Sequence, residues 1–483
     1  MLLGIDLGTG SVKVLLLSSD GTKIAHASRR YAVQSPQPGW AESDPNEWWR
    51  AVQGATLEAV GTRGSGIQAI GLSGQMHSLV PCDSAGRAIR NAILWADTRS
   101  ETQLERFRRL EPELLEPLGN PIVVGMTGPS LLWLQEHEPD LYRRAAFALQ
   151  PKDWLACQLT GRIQTDPSDA SATLLYDLHA EGWHEPLLER MGLRRDLLPE
   201  IRASTDIAGT LTPSAARALG LPSGIPVMIG AGDTASAMVG SGLHSSSATQ
   251  LTVGTGAQLV SLRSNPDVHP QRRTHLYRTA LEPRWYAMAA MQNAGLALER
   301  VRDWLGLDWQ DAYRLAFSVP AGSAGLRFYP YLTGERSPHN NPHLRGAWFG
   351  LSLLHDNAHL MRSAFEGVAY AIRDGLEALE ANGQARNASP LRIAGGGTLE
   401  PAWRQLLADV LDRPLIAVDA SDASARGAAL LAGLGLGSIL QADLEGFAPH
   451  GELVATPNEA ARKIYAEGYE AFTTSFPVIV QPS

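Results

Sequence analysis

A strand, a Gly-Thr-Gly turn and a second strand follow one another once in each half of the chain, and this repetition constrains the fold most. Apolar or alternating runs on either side of a glycine-containing turn are typical of a β-hairpin. A related pattern far along the same chain indicates an internal duplication. The sequence therefore predicts two halves of similar architecture. In chain order the segments are Leu2–Leu7, Gly8–Gly10, Val12–Leu17, Thr249–Val253, Gly254–Gly256 and Ala257–Leu262.

The length of the chain supports this division. With 483 residues, the chain is too long for one hydrophobic core, so two or more domains are expected. The boundary is predicted within Gly240–Ser247, because glycine and serine are frequent there, as in linkers. We therefore predict an α/β protein with an N-terminal domain at residues 1–242 and a C-terminal domain at residues 243–483.

Local signals predict further elements of both halves. Asp44 is a typical helix N-cap, and Pro45 is a typical first helical residue. A long helix is predicted from apolar residues at three- and four-residue spacing. The further predicted strands are Ile24–Tyr31, Ile67–Ser73, Val227–Ile229 and Arg392–Ala394, and the further predicted helices are Asn357–Ala381 and Trp403–Leu411.

Composition excludes several classes of partner. The net charge of −9 argues against nucleic acid and anionic membranes, which require a basic surface. A bound nucleotide is compatible with this charge, since it needs only a few local donors. The two cysteines, Cys82 and Cys157, suit a reducing cytosol, and no signal peptide or membrane-spanning run is found. We predict a cytoplasmic protein without a nucleic-acid or membrane partner.

Asp233 follows the predicted strand Val227–Ile229 and precedes small residues that favour a helix. Open α/β sheets bind ligands at the carboxyl ends of their strands. An aspartate before a helix is also a common N-cap. Because the chain also contains two Gly-Thr-Gly turns, we favour the alternative that Asp233 is a general base for phosphoryl transfer to an alcohol.

Three glycine-containing segments are candidates for phosphate binding. Glycines allow backbone N–H groups to approach phosphate oxygens, and Thr9 would add a hydroxyl donor in the first turn. Two such hairpins facing each other would hold one triphosphate, although each is also a plausible plain turn. Gly395–Gly397 lies between a strand and a helix, where it would either approach a nucleotide or form a bare turn. The chain contains no GxxxxGK[ST] phosphate loop.

Candidate residues for a metal and a polyol lie in the first half. Asp6 interrupts an apolar strand, where a carboxylate must be hydrogen-bonded or bound to a cation; we favour Mg²⁺, which needs only one or two carboxylates. Met76 and His77 end a strand and would face the same crevice as Asp6, although an isolated histidine is often structural. Trp95 and Asp97 would supply a stacking face and a carboxylate for a sugar, or else a core tryptophan and a surface turn.

The assembled motifs resemble those of the FGGY family of carbohydrate kinases, over nearly the whole chain and in the family's order. The segment Tyr331–Leu351, which physical reasoning alone left uninterpreted, resembles the family's second signature. The other matching segments are Gly4–Lys13, Gly39–Trp49, Gly71–Ser78, Ile93–Arg99, Pro151–Leu155, Gly230–Ala237, Thr252–Ala257 and Ile393–Leu411.

This resemblance implies a two-domain fold like that of actin, Hsp70 and hexokinase (ribonuclease H-like), with ATP and a sugar in a central cleft. It implies Mg²⁺ and ATP as cofactor and co-substrate, and a homodimer. Asp233 would be the catalytic base and a substrate contact, and Asp6 would serve the metal or activity, with Asp233 also near the metal. Met76, His77 and Trp95 would contact the sugar. Thr9, Thr255, Gly396 and Gly397 would contact the nucleotide.

The Met76-His77 pair matches the branch of the family that phosphorylates xylulose, whereas glycerol kinases carry Arg-Glu at this place. We therefore expect ATP-dependent conversion of D-xylulose to D-xylulose 5-phosphate. One residue departs from that branch: an amide often follows the catalytic aspartate, and here Thr234 does. D-ribulose, L-xylulose or a pentitol is thus an alternative substrate. A non-catalytic sugar or nucleotide sensor, or an actin/Hsp70-like ATPase, is another alternative, which Asp233 disfavours.

Overall fold

The computed structural model describes residues 1–243, 248–267, 271–281, 284–381 and 389–480. Residues 244–247 of the predicted boundary segment lie outside this part of the chain. In the described part, every helix is too short or too polar to span a bilayer.

The first half of the chain contains fifteen strands and ten α-helices. The strands are β1 Leu2–Leu7, β2 Ser11–Leu17, β3 Lys23–Arg30, β4 Glu42–Ser43, β5 Ala69–Gly74, β6 Val80–Cys82, β7 Ala92–Ile93, β8 Phe147–Leu149, β9 Gln164–Thr165, β10 Tyr176–Asp177, β11 Gly182–Trp183, β12 Glu200–Ile201, β13 Ile207–Thr210, β14 Pro226–Met228 and β15 Ala231–Gly232. The helices are α1 Pro45–Val60, α2 Leu104–Arg108, α3 Pro112–Leu115, α4 Thr127–His137, α5 Pro139–Arg144, α6 Pro151–Thr160, α7 Pro167–Ser171, α8 Glu185–Met191, α9 Pro213–Leu219 and α10 Asp233–Ser241.

The described part of the second half continues with strands and longer helices. The strands are β16 Thr249–Val253, β17 Ala257–Arg263, β18 His275–Arg278, β19 Trp285–Met291, β20 Arg327–Tyr329, β21 Ala347–Phe349, β22 Leu391–Ala394, β23 Leu415–Ala417 and β24 Glu452–Ala455. The helices are α11 Gly295–Trp304, α12 Trp309–Ala316, α13 Asn357–Glu380, α14 Pro401–Leu411, α15 Ala423–Leu436 and α16 Glu459–Val480.

Two mixed sheets form the centre of the molecule. The strand order of the first is β13-β14-β5-β1-β2-β3, with β15 also paired to β5, and that of the second is β18-β19-β17-β16-β22-β23-β24. Each sheet contains a glycine-turn hairpin, β1-β2 in the first and β16-β17 in the second. The second strand of each hairpin pairs with an antiparallel strand, and the first strand pairs with a parallel strand that has a further parallel neighbour. The predicted duplication is therefore confirmed, and it includes whole sheets rather than only their hairpins.

Local sequence signals placed these elements well. Both hairpins form as predicted, as does the long helix, which is α13. Asp44 caps α1 by accepting a hydrogen bond from the N–H of Asn46 at 2.9 Å, and Pro45 is the first helical residue. At α10 the cap is Gly232, and Asp233 is the first helical residue. The alternative role of Asp233 as an N-cap is therefore wrong, and its carboxylate remains available for other partners.

Helix α15 belongs to the second half of the sequence but packs on the first sheet. A Cβ atom built on Gly4 of β1 would lie 2.0 Å from the carbonyl oxygen of Ala425, and one on Gly71 of β5 would lie 1.8 Å from that of Ala428. Only glycine permits such an approach of helix to strand. The chain thus crosses back to its first half, while the division at residue 242 stays a prediction.

Candidate active site

Three neighbouring cavities are found; residues of both halves line the first two, and residues of the second half line the third. The first has a volume of 470 Å³, the second of 280 Å³ and the third of 630 Å³. The first is lined by residues that include Thr9, Met76, His77, Trp95, Thr255, Gln258 and Arg336. The second is lined by residues that include Asp6, Lys13, Gln250 and Asp422, and the third by residues that include Gly395, Gly396, Arg404, Asp419 and His450.

Neighbouring cavities share lining residues and so form a continuous series. Asp233, Thr234 and Gln258 line both the first and the second cavity. Thr252 and Ser421 line both the second and the third. A ligand in the first cavity and a longer one in the third would therefore meet beside Asp233.

Asp233 lies where the first sheet ends and α10 begins. Its Oδ1 accepts hydrogen bonds from the N–H of Thr234 at 2.6 Å and from the Thr234 hydroxyl at 3.2 Å. Burial, and secondly the charge of Asp6, raise the pKa of Asp233 to about 7, although Thr234 opposes this. A carboxylate with this pKa is a suitable proton acceptor near neutral pH.

Asp6 lies in the middle of the first sheet, on β1, and is 8% exposed. Its Oδ1 accepts a hydrogen bond from the Ser73 hydroxyl of β5 at 3.1 Å. Burial raises the pKa of Asp6 to about 6, while Ser73 and Lys13 lower it and Asp422 raises it. Asp6 and Asp233 line the second cavity, whereas Met76 and His77, predicted to face the same crevice as Asp6, line the adjoining first cavity.

His77 has a backbone conformation that is rare outside glycine, with φ at 69°. Its Nδ1 lies 2.7 Å from the carbonyl oxygen of Ala172, and its own carbonyl accepts a hydrogen bond from the Thr127 hydroxyl at 2.9 Å. A carbonyl can only accept, so Nδ1 carries the proton and Nε2 is an acceptor. Burial lowers the pKa of His77 to about 4, which keeps the ring neutral. A strained residue held by two contacts is typical of a ligand site.

Met76 and Trp95 are apolar side chains that line the first cavity. The Met76 sulfur lies 3.6 Å from the hydroxyl of Tyr286. Trp95 donates its indole N–H to the hydroxyl of Thr9 at 2.8 Å, which joins the first hairpin to this cavity. The predicted sugar contacts Met76, His77 and Trp95 are therefore brought together in one cavity.

Asp97 is turned away from the cavities. Its Oδ2 accepts hydrogen bonds from the N–H of Ala41 at 2.6 Å and from Arg99 at 2.7 Å, and its Oδ1 accepts two from Arg99 at 2.9 Å. Both oxygens are thus occupied within a fully buried ion pair. The prediction that Asp97 binds a sugar hydroxyl is wrong, because the loop folds inward onto Arg99.

The candidate nucleotide residues fall in different places. Thr9 and Thr255, from the two hairpins, both line the first cavity, so the hairpins face each other. Gly396 lines the third cavity, and a Cβ added there would meet nothing within 4 Å. Gly397 does not line the third cavity; a Cβ there would lie 2.8 Å from Val253 Cγ1. Gly397 is therefore a packing glycine, and Gly396 is the one that opens toward a ligand.

A buried ionic cluster, Lys152 with Asp153, Asp166 and Asp169, lies behind Asp233. Lys152 Nζ lies 2.5, 3.2 and 3.4 Å from the three carboxylates, respectively. Asp166 accepts a hydrogen bond from the Ser168 hydroxyl at 2.5 Å, which in turn accepts one from the N–H of Gly232 at 2.9 Å. The cluster thereby fixes the backbone immediately before Asp233.

Arg336 and Gln258 are among the side chains of the first cavity that reasoning from the sequence missed. Arg336 enters it from the segment that resembles the second family signature, and its guanidinium lies 5.1 Å from the Trp95 ring centre. Among the described residues its guanidinium has no hydrogen-bond or ion-pair partner. Gln258 enters from β17. Because β17 also contains the polar residues Ser261 and Arg263, nothing in the sequence singled out Gln258.

The pair Asp6 and Asp233 could hold one magnesium ion. Within the described ranges, no three or more histidine, cysteine, aspartate or glutamate side chains are grouped as a ligand set. Mg²⁺ does not need such a set, because it keeps several waters and binds through one or two carboxylates together with phosphates. The charge of Asp6 raises the pKa of Asp233, and a cation between the two carboxylates would relieve this repulsion. The residues present therefore fit the ion.

Comparison with known proteins agrees with this arrangement. The family models "FGGY family of carbohydrate kinases, N-terminal domain" and "C-terminal domain" match residues 1–240 and 250–436. The chain is 36% identical over 418 residues to the xylulose kinase of Escherichia coli strain K12, covering 86% of each sequence.

Solved structures resemble the whole fold. The crystal structure of xylulose kinase from Rhodospirillum rubrum superposes with a TM-score of 0.92 at 28% identity, covering 99% of this chain and 100% of that one. The crystal structure of gluconate kinase from Lactobacillus acidophilus superposes with a TM-score of 0.94 at 25% identity, covering 99% and 98% of the two chains. The predicted two-domain fold is thereby confirmed.

Proposed function

The chain belongs to the FGGY family of carbohydrate kinases and is a carbohydrate kinase, and on that premise we propose that it phosphorylates D-xylulose to D-xylulose 5-phosphate with ATP and Mg²⁺. The observation that carries the proposal is the position of Asp233. Asp233 lines both the first cavity, which has the size and the polar groups for a sugar, and the second cavity. The second cavity in turn adjoins the third, which contains Gly396.

In the proposed reaction Asp233 accepts a proton from the attacking hydroxyl. Its Oδ1 is held by Thr234, and its Oδ2 has no hydrogen-bond partner in the part of the chain that the structure describes. As the sugar oxygen bonds to the γ-phosphorus and the bond to the ADP oxygen breaks, the hydroxyl proton passes to Oδ2. When bound, Mg²⁺ supplies charge neutralisation on the transferred phosphoryl group.

The other end of the first cavity would hold the remainder of the sugar. Neutral His77 offers Nε2 as an acceptor for a hydroxyl group, and Trp95 offers a flat apolar face. Arg336 offers several N–H donors for a carbonyl or hydroxyl oxygen. Donors and acceptors beside an apolar face suit a ketose, and the similarity to proteins named xylulose kinase supports the choice of xylulose among the ketoses.

A second candidate is phosphorylation of a sugar acid. Arg336 is a half-buried arginine whose guanidinium has no partner among the described residues, and an arginine at such a place can bind a carboxylate through two parallel hydrogen bonds. The likeness to a structure named gluconate kinase points the same way. The acceptor D-gluconate therefore belongs in the first assay beside the ketoses.

The experiment that tests the proposal is a coupled ADP-release assay with Mg²⁺ and ATP. The acceptors are D-xylulose, D-ribulose, L-xylulose, L-ribulose, xylitol, glycerol and D-gluconate. We expect the highest kcat/KM with D-xylulose. A higher value with another acceptor would overturn the substrate but keep the reaction. Absence of turnover with every acceptor, with nucleotide still bound, would instead favour a sensor.

A further inference from the structure

Gln258 lies on β17, directly after the second hairpin, and its side chain lines both the first and the second cavity. It extends from the second sheet, whereas Asp233 and Thr234 begin a helix that packs on the first. Gln258 therefore approaches the catalytic aspartate from the opposite side of the cleft.

The three side chains form a chain of contacts across the cleft. The Thr234 hydroxyl donates to Asp233 Oδ1 at 3.2 Å, so its oxygen is free to accept. Gln258 Nε2 lies 3.5 Å from this oxygen and 2.8 Å from the sulfur of Met288. The Thr234 contact is long for a hydrogen bond, but such bonds in a site without substrate often shorten when the substrate is bound.

With both amide hydrogens directed to these neighbours, Gln258 Oε1 remains an acceptor, and it has no partner within the described ranges. We propose that Gln258 is a substrate-binding residue: its Oε1 accepts a hydrogen bond from a sugar hydroxyl near the one that is phosphorylated, while its Nε2 holds Thr234. This inference rests on the proposed sugar kinase function. It adds a residue of the second half of the molecule that binds the acceptor sugar.

The arrangement also explains how the site can bind a sugar with Thr234 at the position where an amide side chain often follows the aspartate in the related branch of the family. The Thr234 hydroxyl is already committed to Asp233, so it has no proton left for a substrate. The missing amide is supplied by Gln258 across the cleft. A sugar that uses this amide is bound fully only when both halves of the site are together.

The test is the variant Gln258→Leu, which keeps the side-chain size and removes both polar atoms. We expect kcat/KM for the preferred sugar to fall about tenfold, the effect of one lost hydrogen bond to a neutral group, while KM for ATP changes less than twofold. Gln135→Leu is the matched control: its amide donates to the carbonyl of Gly192 on the surface, far from the cavities. Its kinetics should be those of the wild type.

Thr234→Val, alone and combined with Gln258→Leu, tests the contact between the two residues. If Gln258 holds Thr234, the fold-decrease of kcat/KM in the double variant is smaller than the product of the fold-decreases in the two single variants. Unchanged kcat/KM in a folded Gln258→Leu protein, or equal losses for sugar and ATP, would overturn the proposal.

Calorimetric titration of the sugar separates this proposal from the proposed function. If the wild type shows no turnover, the kinase function fails, but the Kd of D-xylulose can still be compared between wild type and Gln258→Leu. A weaker Kd in the variant supports Gln258 as a contact. An equal Kd, or no binding of D-xylulose to the wild type, overturns it.

Discussion

At the scale of single residues, the carboxylates of buried Asp6 and half-buried Asp233 dominate the site. Asp6 and Asp233 line one cavity, and burial raises the pKa of each, to about 6 and about 7. A buried carboxylate destabilises a folded protein unless it is hydrogen-bonded, paired or bound to a metal. Their neighbours differ, since Ser73 holds Asp6 and Thr234 holds Asp233. The difference suits a structural or metal-binding role for Asp6 and a proton-accepting role for Asp233.

The variant Asp233→Ala tests the base. Loss of a general base reduces the rate by about 10²–10⁴-fold, so we expect kcat to fall by this factor while sugar and nucleotide affinities stay nearly unchanged. Steady-state kinetics and calorimetry measure the two effects. The control is Asp140→Ala, which removes an exposed carboxylate paired with Arg143. Full turnover by Asp233→Ala would contradict the assignment.

The raised pKa of Asp233 predicts a pH-dependent stability of the protein without metal or ligand. A carboxyl group whose pKa is 3.8 when unfolded and about 7 when folded binds its proton more tightly in the folded state. Its stabilising contribution is therefore complete below pH 4 and is lost as the pH rises through 7. We expect the Tm of Asp233→Asn minus that of the wild type to increase from pH 5 to pH 8. A constant difference in thermal unfolding would refute this.

At the scale of elements, close packing of helix α15 positions the site. The hydroxyl of Ser424, in its first turn, donates to the carbonyl oxygen of Asp233 at 3.1 Å, although the two residues are 191 positions apart. Glycines on both sides allow the approach: a Cβ on Gly427 would lie 1.8 Å from the carbonyl oxygen of Ser236 in α10. The glycines of this contact thus help to position Asp233.

The variant Gly71→Ala tests this packing. The added Cβ would lie 1.8 Å from the carbonyl oxygen of Ala428, so α15 must shift, at a cost of roughly 1–3 kcal/mol in the free energy of unfolding. Because α15 contacts Asp233, kcat should fall as well. In the control Gly54→Ala, within α1, the nearest atom is 3.5 Å away, at Arg29. That variant should keep kcat and gain up to about 1 kcal/mol of stability. Equal unfolding curves for the two variants would disprove the packing argument.

At the scale of the whole molecule, each ligand would contact both halves. The first cavity is lined by His77 and Trp95 from the first half and by Thr255, Gln258 and Arg336 from the second. The second cavity likewise joins Asp6 to Thr252 and Ser421. A ligand that contacts both halves stabilises their closed arrangement, and a second ligand then binds to a site that is already formed.

We therefore predict that the sugar increases the affinity for nucleotide. Coupling free energies between sites are typically about 1–3 kcal/mol, so saturating D-xylulose should lower the Kd of a non-hydrolysable ATP analogue at least about fivefold. Calorimetric titration with and without the sugar measures this. In His77→Ala, which weakens the sugar site, the same sugar concentration should have a smaller effect. An unchanged Kd in the wild type would exclude coupling through closure.

The predicted homodimer stays a prediction.

The sequence by itself determined the elements and their order: two glycine-turn hairpins, the strands beside them, the capped first helix, the long helix α13 and the aspartates in β1 and at α10. These features follow from periodicity and turn chemistry within a few neighbouring residues. Only the tertiary structure decided that α15 returns to the first sheet, that Asp97 pairs with Arg99, that Gly397 packs on Val253, and that Arg336 and Gln258 enter the first cavity. These outcomes depend on contacts between residues far apart in the chain, for which no local pattern exists.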